Sequence, residues 1–383
     1  MYINDSFENR FLATKIAVRT FLPILFILSV AGCSRAKKVK TITVETNYNV
    51  EALVIAFEIA ENGFWNFPFD DFQPMKSLVR REFKKYREHE TVKLIDTLVA
   101  KGFWLDAMTE VMLKSSPLPN ARLIEDMNHS TLLRLSDDLE ESHKMVANFI
   151  NAMHQFYIDA GLDAYFMGNL PYYDTINEEV RKNIPNASFI ATMEEYYGKQ
   201  NEAYTLVPSP ALYHTMGFGK NIKGDTGFKV YNVFGPLIVT KDSLEFGNGF
   251  DDLNKINELT VHEFGHSFIN PILDKEVYKE HIDSFAHLFE RIRKPMKEQG
   301  YGSWRSCLAE HVVRLGEIRI SYAMGDSDRA ERLREEYVHE RKFIYIPLME
   351  KGIKAYEDNR DIYKTIDDYI PKLLTCLETT EKQ

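Results

Sequence analysis

Residues 259–271, LTVHEFGHSFINP, set His262 and His266 four positions apart, with Glu263 directly after the first. On a helix, side chains at i and i+4 share a face with their β-carbons about 5 to 6 Å apart, so two imidazoles can converge on one cation. Zinc suits the pair, because it takes imidazole nitrogen at about 2.0 to 2.1 Å. Glu263 leaves the helix beside the pair, where it can take a proton from an activated water instead of ligating. The spacing thus reads as His262 and His266 holding one Zn2+, with Glu263 as the general base of a hydrolase. The competing reading is a buried helix whose histidines are satisfied by protein groups alone.

The neighbouring residues bear on that choice. Val261, Phe264 and Phe268 form one apolar stripe, and the histidines lie opposite it between Leu259 and Ile269. Both faces are therefore expected to be covered, and a buried imidazole nitrogen without a partner costs about 1 to 3 kcal/mol. A cation would meet that need. Gly265 is expected to leave room beside the ligands for substrate or a neighbouring strand. Ile269 and Ile272 stand where the longer HExxHxxGxxH motif has its glycine and third histidine.

A catalytic zinc site keeps three protein ligands and one open position. Downstream candidates for the third are His281, Asp283, His287, Glu310, His311 and Glu317. The segment WRSCLAEHVVRLGEIRI gives the best context. Trp304, Leu308, Val312 and Leu315 make its apolar stripe, and Glu310, Arg314 and Glu317 share the opposite face. On an isolated helix Glu310 and Arg314 would be an ordinary surface ion pair.

These segments need elements to position them. The alternating VKTITVETN reads as a strand, residues from about 50 to 200 are mostly helical in pattern, and everything from 251 onward returns to helix. Between them AYTLVPSP, LYHTMGFG and FKVYNVFGPLIVT read as three strands within about 203–241. Strands at both ends of a helical block predict one α+β unit over 41–383, predominantly helical, because the lone first strand needs a sheet to join. A separate helical domain is the alternative.

The chain has 383 residues and a net charge of −10, which disfavours nucleic acid as a partner because phosphate binding depends on a basic surface. The basic stretch KSLVRREFKKYREHE carries its charges at helical spacing and reads as a solvated face. At the N-terminus TFLPILFILSVAG is an apolar run after Lys15 and Arg19, too short to span a membrane but apt for a secretory signal. Val30-Ala31-Gly32-Cys33 resembles the bacterial lipobox. Residues 1–32 are thus expected to be a lipoprotein-type signal peptide, with Cys33 lipidated and 33–40 a tether, giving an exported protein of the periplasm or outer cell envelope anchored to the membrane. The remaining Cys307 and Cys376 are expected to be buried free thiols, and His89, His129, His143, His154, His214 and His339 to be surface or packed residues.

HEFGHSF, followed by AEHVVR and then FIYIPLMEKGIKAYEDNRDIY, resembles a family of bacterial exported proteins described as zinc metallopeptidases of unknown substrate, similar in motif logic to the gluzincins. The resemblance implies a zincin-like fold, with a small mixed sheet beside the active-site helix. It also implies His262, His266 and Glu310 as zinc ligands, Glu263 as base, and Arg314 orienting Glu310 from behind. Hydrolysis of a peptide bond by metal-activated water is the activity it implies. Two alternatives stand beside that: a tethered binding or scaffold protein with a structural or degenerate zinc site, and a zinc amidase acting on a non-peptide amide of the cell envelope. Tyr345 is a candidate oxyanion donor, and the strand FKVYNVFGPLIV a candidate edge for pairing with substrate.

Overall fold

The computed structural model describes residues 40–67, 73–184, 188–237 and 248–378. The leader and Cys33 lie outside the described residues. Strand β1 (Ile42–Val44) is followed by helices α1 (Tyr48–Ile59), α2 (Pro74–Phe83), α3 (Glu90–Ala100), α4 (Leu105–Leu113), α5 (His129–Leu132), α6 (Leu139–Asp159), α7 (Leu162–Lys182) and α8 (Ser188–Tyr197). Strands β2 (Ala203–Pro208), β3 (Gly217–Lys223) and β4 (Phe228–Phe234) come next. Helices α9 (Leu253–Leu273), α10 (Glu276–Ser284), α11 (Arg293–Glu298), α12 (Trp304–Ala323), α13 (Ser327–Glu335), α14 (Ile346–Asp358) and α15 (Ile366–Thr375) complete the chain.

The sheet order is β1-β2-β4-β3, with β1, β2 and β4 parallel and β3 antiparallel to β4. The lone first strand does join the later three, pairing Ile42 with Tyr204 and Val44 with Leu206. The architecture is therefore α+β, mostly helical, around a small mixed sheet. Side chains alternate across a strand. Tyr204, Leu206, Val230 and Phe234 face one core shared with α8, α9 and α12, and Val207, Ile222 and Val233 face a second core built by α1 to α7.

Two sequence expectations shift. LYHTMGFG is not a strand throughout: residues 209–216 form a turn, and β3 begins at Gly217 and runs on through the polar GKNIK. Tertiary contacts hold that polar run extended, because Lys220 pairs with Asp106 and the Asn221 amide donates to the Ser267 carbonyl at 3.0 Å. The edge of the sheet beside α9 is β3, and FKVYNVF lies inside it between β2 and β3, so it cannot take a further strand.

Candidate metal centre

Helix α9 starts at Asp252, whose side chain accepts from the Lys255 N–H, and from Thr260 to Leu273 most of its residues are buried. Its packing on β3 is set by matched pitch. Four helical residues rise about 6 Å and two strand residues about 6.6 Å, so Leu259, Glu263 and Ser267 stack over Gly217, Gly219 and Asn221. Helix α12, capped reciprocally by Ser303 and Ser306, lies against another side of α9. A β-carbon on Gly265 would stand 3.1 Å from the Val313 side chain, and one on Gly316 would stand 2.2 Å from the Tyr197 hydroxyl. Gly265 thus serves the contact with α12, not space for substrate.

This packing brings together the ligands expected from sequence. His262 Nε2 and His266 Nε2 are 3.2 Å apart, His266 Nε2 is 3.3 Å from Glu310 Oε1, and His262 Nε2 is 3.6 Å from Glu310 Oε2. A tetrahedral zinc with bonds near 2.05 Å requires its ligand atoms roughly 3.3 Å apart. The donor set fits. Ligand atoms of these three residues all lie within 4.8 Å of one another, and they are the metal-competent group among the described residues. The histidine side chains are 15% and 14% exposed, so the centre opens to solvent on one side.

The outer nitrogens fix the ring orientations. His262 Nδ1 bonds Glu317 Oε1 at 2.7 Å, and His266 Nδ1 bonds Asn270 Oδ1 at 3.2 Å. With both Nδ1 atoms donating, both Nε2 atoms point at the shared centre, and His266 would give up its Nε2 proton to a metal bound there. Glu317 is held in turn by the Tyr337 hydroxyl at 2.6 Å. From the sequence alone Glu317 is one candidate for the third ligand. Its role as the partner of His262, and that of Asn270 toward His266, depend on how the two helices are rotated against each other, although Asn270 sits at i+4 from His266.

Arg314 donates to Glu310 Oε2 at 3.1 Å from a buried position over the rings of Tyr337 and Phe343, so the pair is no surface ion pair. Burial alone would push the Glu310 carboxyl up, but His262, His266 and Arg314 together hold it well below the usual carboxylate range. Burial likewise opposes charge on His266, yet Glu310, Glu263 and Asn270 push it up to about 9.

Glu263 turns toward the sheet edge. A β-carbon on Gly217 would lie 3.6 Å from its Oε1 and one on Gly219 only 2.9 Å from its Oε2, so these glycines make the space the carboxylate occupies. Among the described residues no further strand pairs with that edge. Gly224 N–H donates to Gly227 and Gly235 N–H to Met216. Hydrogen-bonded and non-hydrogen-bonded pairs alternate along an antiparallel ladder, so Phe218, Lys220 and Ile222 bond β4 while Gly217, Gly219, Asn221 and Lys223 turn their amides outward. The Lys223 N–H is met by Glu125 Oε2 at 2.9 Å.

Other candidates fall elsewhere. His281 Nε2 bonds the Pro371 carbonyl, His287 Nδ1 the Ser284 carbonyl, and buried His311 the Cys307 carbonyl. Asp283 is exposed on α10. Tyr345 is no oxyanion donor: its buried hydroxyl donates to the Leu288 carbonyl at 2.7 Å while its ring packs on Trp304 and His311. The hydroxyl beside the ligand set is that of Tyr301, which accepts from Arg314 Nη2 at 3.4 Å. Cys307 is buried and Cys376 partly so.

Fold and site define an α+β protein with a His2Glu centre shared between two packed helices. Over residues 42–376 the chain matches the family described as a domain of unknown function, DUF4932, and belongs to it. No curated protein and no solved structure matches the chain.

Proposed function

We propose that the protein is a zinc-dependent hydrolase with a zincin-like centre, acting on peptide bonds. The observation that carries the reading is the near-tetrahedral spacing of His262 Nε2, His266 Nε2 and Glu310, with no fourth protein ligand among the described residues. Zinc, when bound there, supplies a Lewis acid for a carbonyl and lowers the pKa of water toward about 7. Glu263, within electrostatic reach of His266, accepts the proton of the attacking water and returns it to the leaving amine. Tyr301 has accepted from Arg314 and keeps its own proton, so it can donate to the oxygen on which negative charge develops.

A peptide is favoured over other amides because the outward amides of Gly217, Gly219 and Asn221 offer an extended chain a strand to pair with, beside the base. Glu263→Gln tests the assignment. Purified protein is expected to carry one zinc and cleave a quenched peptide mixture. The variant should keep the zinc and lose turnover by ~10² to 10⁴-fold. Full turnover in the variant would refute Glu263 as base. The leader reading is part of the same proposal: a chain beginning at acylated Cys33 is the expected product in the cell envelope, and mass spectrometry of the native protein checks it.

A further inference from the structure

Asn232 lies on β4 directly opposite Gly219 of β3. It is wholly buried, and both its Nδ2 and Oδ1 lack a hydrogen-bond partner. Buried side-chain amides are nearly always satisfied, so an orphan pair of this kind calls for an explanation. Its position supplies one. Val230 and Phe234, two residues to either side, face the core that contains α9, and alternation puts Asn232 on that same face. Gly219 and Asn232 form a non-hydrogen-bonded pair, in which opposed β-carbons would be about 4.5 to 5.5 Å apart.

The β-carbon that Gly219 lacks would stand 2.9 Å from Glu263 Oε2, so the Glu263 carboxylate sits over Gly219 on the face of the sheet that carries Asn232. A third unmet polar atom is on the same helix as Glu263. Thr260, one turn before Phe264 on α9, is buried with its Oγ1 unpartnered. Donors and acceptors in that number are what an ordered internal water requires, typically about three hydrogen bonds.

We infer that Asn232 is a positioning residue for Glu263, holding its carboxylate through one buried water that is shared with Thr260 and lies between Asn232 and the carboxylate seated over Gly219. The inference rests on Glu263 being the base. The carboxylate is then anchored to the sheet at Oε2, the oxygen over Gly219. Asn232 touches neither substrate nor ligand. Its effect is on where the base stands.

Two measurements test this. In an atomic-resolution crystal structure of the full chain, a water should lie within hydrogen-bond distance of Asn232, Thr260 and Glu263. Finding the Asn232 amide bonded only to other protein groups overturns the inference. In hydrolysis of a quenched peptide mixture, Asn232→Leu, similar in volume, and Thr260→Val, nearly isosteric, should each lower kcat between roughly 10- and 100-fold with KM and zinc content unchanged. Asn232→Ser, which keeps a polar group for the water, should recover much of that loss. Unchanged kcat in the soluble, zinc-loaded Leu and Val variants also overturns it. If the wild-type protein cleaves no peptide, the hydrolase reading fails, and the crystallographic water still decides whether Asn232 anchors Glu263.

Discussion

Three side chains were legible because one element carries them. His262, Glu263 and His266 follow from the spacing on a single helix, whereas Glu310 needed a resemblance and Glu317 needed the fold. The difference is physical: i and i+4 neighbours are fixed by helix geometry, but the partner of His262 depends on how α12 is rotated against α9. Glu317 therefore gives the sharper test of the centre. It is buried, accepts from both His262 and Tyr337, and although burial would raise its pKa, His262 and Arg314 hold it down as a carboxylate. An anionic partner makes the His262 ring a better donor to metal. Glu317→Gln keeps the shape and removes the charge, so zinc affinity should fall about 10- to 100-fold. Competition with a chromophoric chelator measures it, and an unchanged affinity would remove Glu317 from the account.

At the scale of elements, the helices were largely readable from periodicity and the strands only in part. β3 starts later than the aromatic LYHTMGFG suggests, because its polar GKNIK lacks the usual strand composition and is held by Asp106 and Ser267, residues remote in sequence. The junction of α9 and α12 was not readable at all, since Tyr197 comes from α8. Gly316→Ala would drive a methyl to within 2.2 Å of the Tyr197 hydroxyl, an overpacking expected to cost about 1 to 3 kcal/mol. Without the hydroxyl the nearest ring carbon stands at 3.2 Å, so adding Tyr197→Phe should recover most of the loss, and urea denaturation of the double-mutant cycle reads the coupling. Helix α1 supplies a second test. Glu51 is fully buried there with Tyr173 donating to it at 3.0 Å, and burial pushes its carboxyl up to about 7. A raised folded-state pKa means that its contribution is fully present below the unfolded value and is lost as pH rises through about 7. The loss amounts to about 3 kcal/mol. Glu51→Gln should flatten that part of the stability profile between about pH 5 and pH 8, leaving the variant the more stable at the alkaline end.

For the whole molecule, the sequence predicted the joining of the first strand to the later three, and the structure shows why it must happen: β1 covers the flank of β2 between two helical layers. The orientation of the sheet edge could not be predicted, because strand order is a property of the assembled sheet. The same long-range closure makes metal binding a global matter. His262 and His266 come from α9 and Glu310 from α12, with α10 and α11 between them, so a cation ties together parts of the chain that the unfolded state holds apart. Binding confined to the folded state stabilises it by RT ln(1 + [L]/Kd), about 2.7 kcal/mol at a hundredfold excess over Kd. Chelation should therefore lower the thermal midpoint by several degrees and added zinc should restore it. His262→Ala should abolish the response because it removes a ligand. Glu263→Gln should keep it in full, because the Glu263 carboxylate faces the edge strand and lies outside the His262, His266 and Glu310 group. A metal response lost in Glu263→Gln would mean that this carboxylate is a ligand, leaving the centre without a separate base.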